Sequence, residues 1–182
     1  MSKYFLPIIF LFVITPVFSE SEHTDIVLVN GYAITDIEIN YELKQLEQQA
    51  MIVGEQQKTP LNYAYIEELR NTVISTLINK HLILQECDKR NITINPEIIN
   101  QKLLMLKTQF PEEQQFYDFL TTSHITEDKL LEEIKVALRI NQLAEQIVKE
   151  HNIGIQSEEQ KQKALATLLT ELLDEAEIIW VD

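Results

Sequence analysis

A single cysteine, three glycines and five prolines leave this 182-residue sequence with few of the residues that staple, hinge or break a fold. One cysteine allows no disulfide within the chain, so the hydrophobic core must hold the structure. No stretch is rich in serine and glycine, so no flexible linker or low-complexity segment is expected. Basic residues are also scarce: 15 Lys and Arg stand against 29 Asp and Glu, a net charge of −14. Nucleic-acid binding draws its affinity from cations that neutralise phosphates, so this balance excludes a nucleic-acid partner; its plain consequence is solubility. The four histidines, His23, His81, His124 and His151, share no ligand spacing with one another, with Cys87 or with carboxylates. Each therefore reads as a surface or helix-end residue, and no metal or other cofactor is expected. There is no phosphate-cradling glycine loop, no Gly-x-Ser-x-Gly and no Cys/His pair in a recognisable motif. Paired acids such as Glu67-Glu68, Glu112-Glu113, Glu132-Glu133 and Glu158-Glu159 fall in helix first turns or on polar faces, where solvation and the helix dipole account for them. Enzymatic activity is not expected.

Long apolar runs are confined to one place. Lys3 precedes Tyr4 to Ile14, and the run ends in Thr15-Pro16-Val17-Phe18-Ser19, the layout of an export leader. It is shorter than the roughly 20 residues of a membrane span and is broken by Pro7 and Pro16, which favours cleavage between Ser19 and Glu20 over an uncleaved anchor. Cleavage would move the net charge from −14 to −15 and leave no stable membrane span. The expected organisation is a leader over 1–19 and one domain over 20–182.

The remaining pattern is that of a mainly α protein with about six helices and a small β-hairpin joined by a C-terminal strand. Ile26 to Val29 is apolar and β-branched, and Asn30-Gly31 supplies a two-residue turn before Tyr32-Ala33-Ile34. Thr35 and Glu38 form a capping-box pattern, and Ile39, Leu43, Leu46, Ala50 and Val53 place a helix from about Asp36 to Met51. A second helix opens at Pro60 and runs to about Arg90, and Asn95-Pro96 starts a third carrying Ile99, Leu103, Leu106 and Phe110. Pro111-Glu112-Glu113 opens a short fourth with Phe116, Phe119 and Leu120. Thr126 caps a fifth to about Glu150, and Ser157 with Gln160 caps a sixth. Residues 177–181 read as a strand that pairs with the hairpin, since neither is stable alone; Trp180 is expected to anchor it in the core. Cys87 lies in a helical pattern and reads as a small buried residue.

These elements resemble a known family. Val27-Leu28-Val29-Asn30-Gly31-Tyr32-Ala33-Ile34-Thr35 resembles the VNG-x-x-I-T opening of SurA-like periplasmic chaperones, a group that includes PrsA-like and PpiD-like foldases. The segment from Leu69 to Gln85 resembles the family's L-x-x-x-x-L-I-x-x-x-L-I-L-Q helix. Asn91-Ile92-Thr93-Ile94-Asn95-Pro96-Glu97 resembles its following junction, with Asn91 where glycine is usual, and Ala164 to Val181 is similar to the closing helix and strand. The family usually carries parvulin-type prolyl isomerase domains before the last helix, but here only Asn152-Ile153-Gly154-Ile155-Gln156 intervenes.

The resemblance implies a SurA-like chaperone core without the isomerase. Its expected partners are unfolded outer-membrane proteins or other exported polypeptides, held in the periplasm without ATP and released through weak multi-site binding. Methionine and aromatic side chains suit a groove that accepts many apolar segments, which nominates Tyr41, Met51, Tyr63, Met105, Phe110 and Phe116. The alternative is a non-catalytic adaptor that binds one dedicated folded partner. Swapped terminal strands could also give a homodimer.

Overall fold

The computed structural model describes the backbone of residues 24–54, 63–151 and 157–181, and side chains over 24–46, 66–151 and 157–181. The leader and Pro60 lie outside the described residues. Within them the chain is mainly α, with six helices and one small antiparallel sheet. No helix among the described residues is long and apolar enough to cross a membrane.

Asn30 and Gly31 take φ values of 52° and 82°, which turn β1 (Asp25–Val29) directly into β2 (Tyr32–Thr35). Two consecutive positive φ angles match the right-handed twist of the strands, and Asn-Gly adopts them at low cost. The last strand, β3 (Ile178–Trp180), pairs antiparallel on the other side of β1, giving the order β2-β1-β3. The two ends of the described fold therefore share one sheet.

Alternation along β1 turns Val27 and Val29 inward, where they are buried with Ile34 of β2. They pack against Ile39 of α1 (Asp36–Gly54) and Val73, Ile74, Leu77, Ile78 and Leu82 of α2 (Tyr63–Lys89), with Leu172 and Ile178 closing the cluster. Ile178, and not Trp180, ties β3 to the core. Trp180 is 58% exposed, which corrects the expected anchor. Both face the helices, but Trp180 lies opposite Val27 on the outermost strand, and most of its ring lies beyond the helices' cover.

A second cluster joins Ile83, Cys87 and Ile92 at the end of α2 to Leu143 and Ile147 of α5 (Glu127–Glu150) and Leu168 of α6 (Glu158–Glu175). Asn91 takes φ 56° to end α2, and the Ile92 N–H reaches back to the Cys87 carbonyl at 2.8 Å. Asparagine tolerates this left-handed position, which helix ends otherwise usually give to glycine. Arg90 links the ends of α2 and α5 through Glu86 at 2.6 Å and Glu150 at 2.9 Å. Burial pushes the Glu86 carboxyl up, yet hydrogen bonds from Arg90 and Lys89 outweigh it and hold the group below its ordinary range.

α5 then runs on into a third, smaller cluster. There Leu130, Leu131 and Ile134 pack against Leu103 of α3 (Pro96–Lys107) and Phe116 and Leu120 of α4 (Glu113–Thr122). The expected caps hold: Asn95 Oδ1 accepts from Glu97 N–H, Thr126 from Lys129 N–H, and Ser157 with Gln160 closes a full capping box. Thr35 accepts from Glu38 N–H at 3.3 Å, but the Glu38 carboxylate turns to His81 at 3.1 Å, joining α1 to α2 instead of completing its box. His124, at φ 52°, ends α4 in the same manner that Asn91 ends α2.

Candidate functional site

The lobe built from α3, α4 and the first half of α5 has more apolar side chains than it can bury. α4 carries Phe116, Tyr117, Phe119 and Leu120 within ten residues. At about 100° per residue these directions span about 160° of the helix circumference, with Tyr117 and Phe119 at the two margins, wider than a buried stripe of about 100°. Phe116 and Leu120 are buried, whereas Tyr117 and Phe119 are 41% and 42% exposed.

Phe110, in the turn between α3 and α4, collects these rings. Its centroid lies 5.6 Å from Phe116 in an edge-on arrangement and 5.5 Å from Phe119, and Phe116 lies 5.4 Å from Tyr117. Edge-on contacts place the positive rim of one ring on the negative face of another and fix the cluster's shape. Lys107 Nζ sits 4.9 Å from the Phe116 centroid and 5.6 Å from that of Tyr117, and donates to Glu127 at 2.9 Å. Its hydrogen bond to Glu127 raises the Lys107 pKa above its ordinary value, so the ammonium keeps its charge beside the rings. The result is an aromatic cluster around buried Phe116, with Phe119 and Tyr117 partly open on either side of it.

α3 is apolar on its outer side as well. Leu103 is buried, while Ile98 and Met105, seven residues apart and so on one line of the helix, face away from it and are exposed with Leu104. Met105 and Leu104 are 61% and 62% exposed. A flexible thioether and rigid rings on one small lobe can accept extended apolar segments of varied shape, with no bond made or broken.

The six nominated groove residues separate. Phe110 and Phe116 meet in the aromatic cluster, where Phe110 is half-buried and Phe116, fully buried, forms its floor. Met105 lies on the outer side of the same lobe. Tyr41, half-buried on α1, instead faces α5, with Lys129 Nζ 5.0 Å from its ring centroid. The side chains of Met51 and Tyr63 lie outside the described residues. Tyr117, Phe119, Leu104 and Ile98 were not nominated; the crowding of apolar residues on the ten-residue α4 was the signal that could have found the first two.

The family model described as a SurA-like N-terminal domain matches residues 2–144, and the chain belongs to this chaperone-like family. The match takes in the hairpin, α1 to α4 and most of α5, and so includes the whole aromatic lobe. No curated protein matches the chain.

Proposed function

We propose, with that membership as the premise, that this chain is an ATP-independent periplasmic chaperone that holds unfolded outer-membrane proteins, or other exported polypeptides, through the α3–α4 lobe. The observation that carries the reading is the aromatic cluster of Phe110, Phe119 and Tyr117 around buried Phe116, with Phe119 and Tyr117 partly open, on a lobe that also exposes Met105 and Leu104. Several large apolar side chains exposed on one small lobe cost solubility, and such gatherings mark interaction sites. The chain's overall net charge of −14 offsets that cost. A client segment lying on rings and thioether binds by area and shape, not by sequence, so it can leave without an energy source. The chain acts without catalysis, as a holder and not an isomerase.

The direct test is light scattering. Urea-unfolded outer-membrane protein diluted into buffer without nucleotide should aggregate less in the presence of a near-stoichiometric amount of this chain. Undiminished aggregation would sink the reading and favour an adaptor with one folded partner.

A further inference from the structure

Large apolar side chains exposed on the described fold gather in a second place, the sheet. β3 has one neighbour, β1, among the described residues. The Glu177 carbonyl accepts from Asn30 N–H at 2.8 Å and Val181 N–H donates to the Ile26 carbonyl at 3.1 Å. Alternation therefore points the N–H and C=O groups of Ile178 and Trp180 the other way, toward an edge with no backbone partner among the described residues. Along this edge Ile179, Trp180 and Val181 are exposed. Such an edge is a template for another strand, and proteins usually blunt it with charge, proline or a bulge within the strand. β3 carries none of these.

The surrounding charge selects the occupant. No Lys or Arg occurs over residues 20–43 or 164–182, the segments that supply all three strands and the second half of α6. Glu175 and Glu177 stand exposed where β3 begins, and Asp25 stands exposed at the end of β1 beside the close of β3. Lys89, which shares a cleft with Asn30 and Glu175, is held by Glu86 at 3.4 Å. A second copy would bring the same carboxylates against each other, which disfavours self-pairing. We propose that the free edge of β3 takes an extended polypeptide segment flanked by lysine or arginine as a fourth strand. The partner's backbone pairs with Ile178 and Trp180, its side chain covers Trp180, and its flanking cations meet Glu175, Glu177 and Asp25. This surface is separate from the aromatic lobe and does not depend on the lobe's role.

Trp180 is the only tryptophan, so its fluorescence reads the site alone. The probe is a synthetic peptide of alternating valine and threonine with two lysines at each end. The full chain should give a saturable blue shift with it, weakening as salt rises. Replacing the lysines by glutamates, or N-methylating the peptide's core amides, should each weaken binding by roughly tenfold or more. Glu175→Gln combined with Glu177→Gln removes charges that meet the flanking lysines without touching the backbone bonds to β1, and should weaken binding while the circular dichroism is unchanged. Phe119→Ser should leave the shift intact. Equal binding of the glutamate-flanked or N-methylated peptide overturns the proposal. So does absence of a shift with the lysine peptide, or a blue shift that appears with protein concentration alone and marks self-pairing.

Discussion

Asn30 and Glu177, 147 residues apart, are joined by two hydrogen bonds: Asn30 N–H donates to the Glu177 carbonyl at 2.8 Å, and Glu177 N–H donates to Asn30 Oδ1 at 2.9 Å. The same Asn30 side chain donates to Gln85 of α2 at 2.8 Å, while its backbone occupies the left-handed region that the hairpin turn requires. One residue thus shapes the turn, fastens the terminal strand and ties both to the longest helix.

These roles separate by substitution. Asn30→Gly keeps the positive φ and loses only the side-chain bonds, for an expected cost of about 1–2 kcal/mol. Asn30→Ala also forces an unfavourable backbone, and should cost about 1 kcal/mol more. Urea unfolding of the two variants measures the difference; equal losses would mean that the turn geometry carries no strain for alanine.

Neighbouring rings of the lobe should behave oppositely. Phe116→Ala empties a fully buried site and is expected to cost about 3–5 kcal/mol. Phe119→Ala removes a partly exposed ring and should cost less than about 1.5 kcal/mol, yet weaken suppression of client aggregation severalfold. Denaturation and light scattering on the same preparations check both halves.

The Glu38–His81 contact gives stability a pH dependence. The hydrogen bond with His81, only partly opposed by burial, holds the Glu38 carboxyl below its ordinary 4.5. The unfolded chain therefore binds the proton more readily. The contribution is fully present above the unfolded value and is lost as pH falls through the folded one. The stability difference between wild type and Glu38→Gln should shrink as pH falls below about 4.5. Urea midpoints across that range measure it; a difference that grows on acidification would contradict the assignment.

Cys87 is fully enclosed between α2, α5 and α6, and burial pushes its thiol pKa up. Thiolate is the reactive form, so the folded chain should react with a disulfide reagent at neutral pH at least a hundredfold more slowly than the chain in urea, as about 3 kcal/mol of opening requires. Prompt reaction of the native protein would place the thiol at the surface.

The helices were legible because their starts are written locally: Asn95-Pro96, Thr126 and Ser157 with Gln160 each cap the helix that the apolar spacing announces, and Asn30-Gly31 marks the hairpin. Pairing of β3 with the hairpin followed from the cost of leaving either alone. Trp180 was misplaced because alternation tells which side of a sheet a residue faces, not how far the neighbouring helices extend over it. The candidate site was only half legible for a similar reason. Periodicity groups Phe116 with Phe119, but which ring becomes floor and which stays open depends on where α3 and α5 pack, and no local spacing records that. Tyr41 drew attention as an aromatic on a helix, yet its neighbour is Lys129, far along the sequence.

The central claim, that clients lie on the α3–α4 lobe, is tested most directly by crosslinking. With Cys87 enclosed, a benzophenone maleimide will label a new surface cysteine selectively, at Phe119→Cys, Met105→Cys or, on the exposed polar side of α2, Thr76→Cys. Irradiation with an unfolded outer-membrane protein should give adducts from positions 119 and 105 and little from 76. Equal adducts from position 76, or none from 119, would contradict the account.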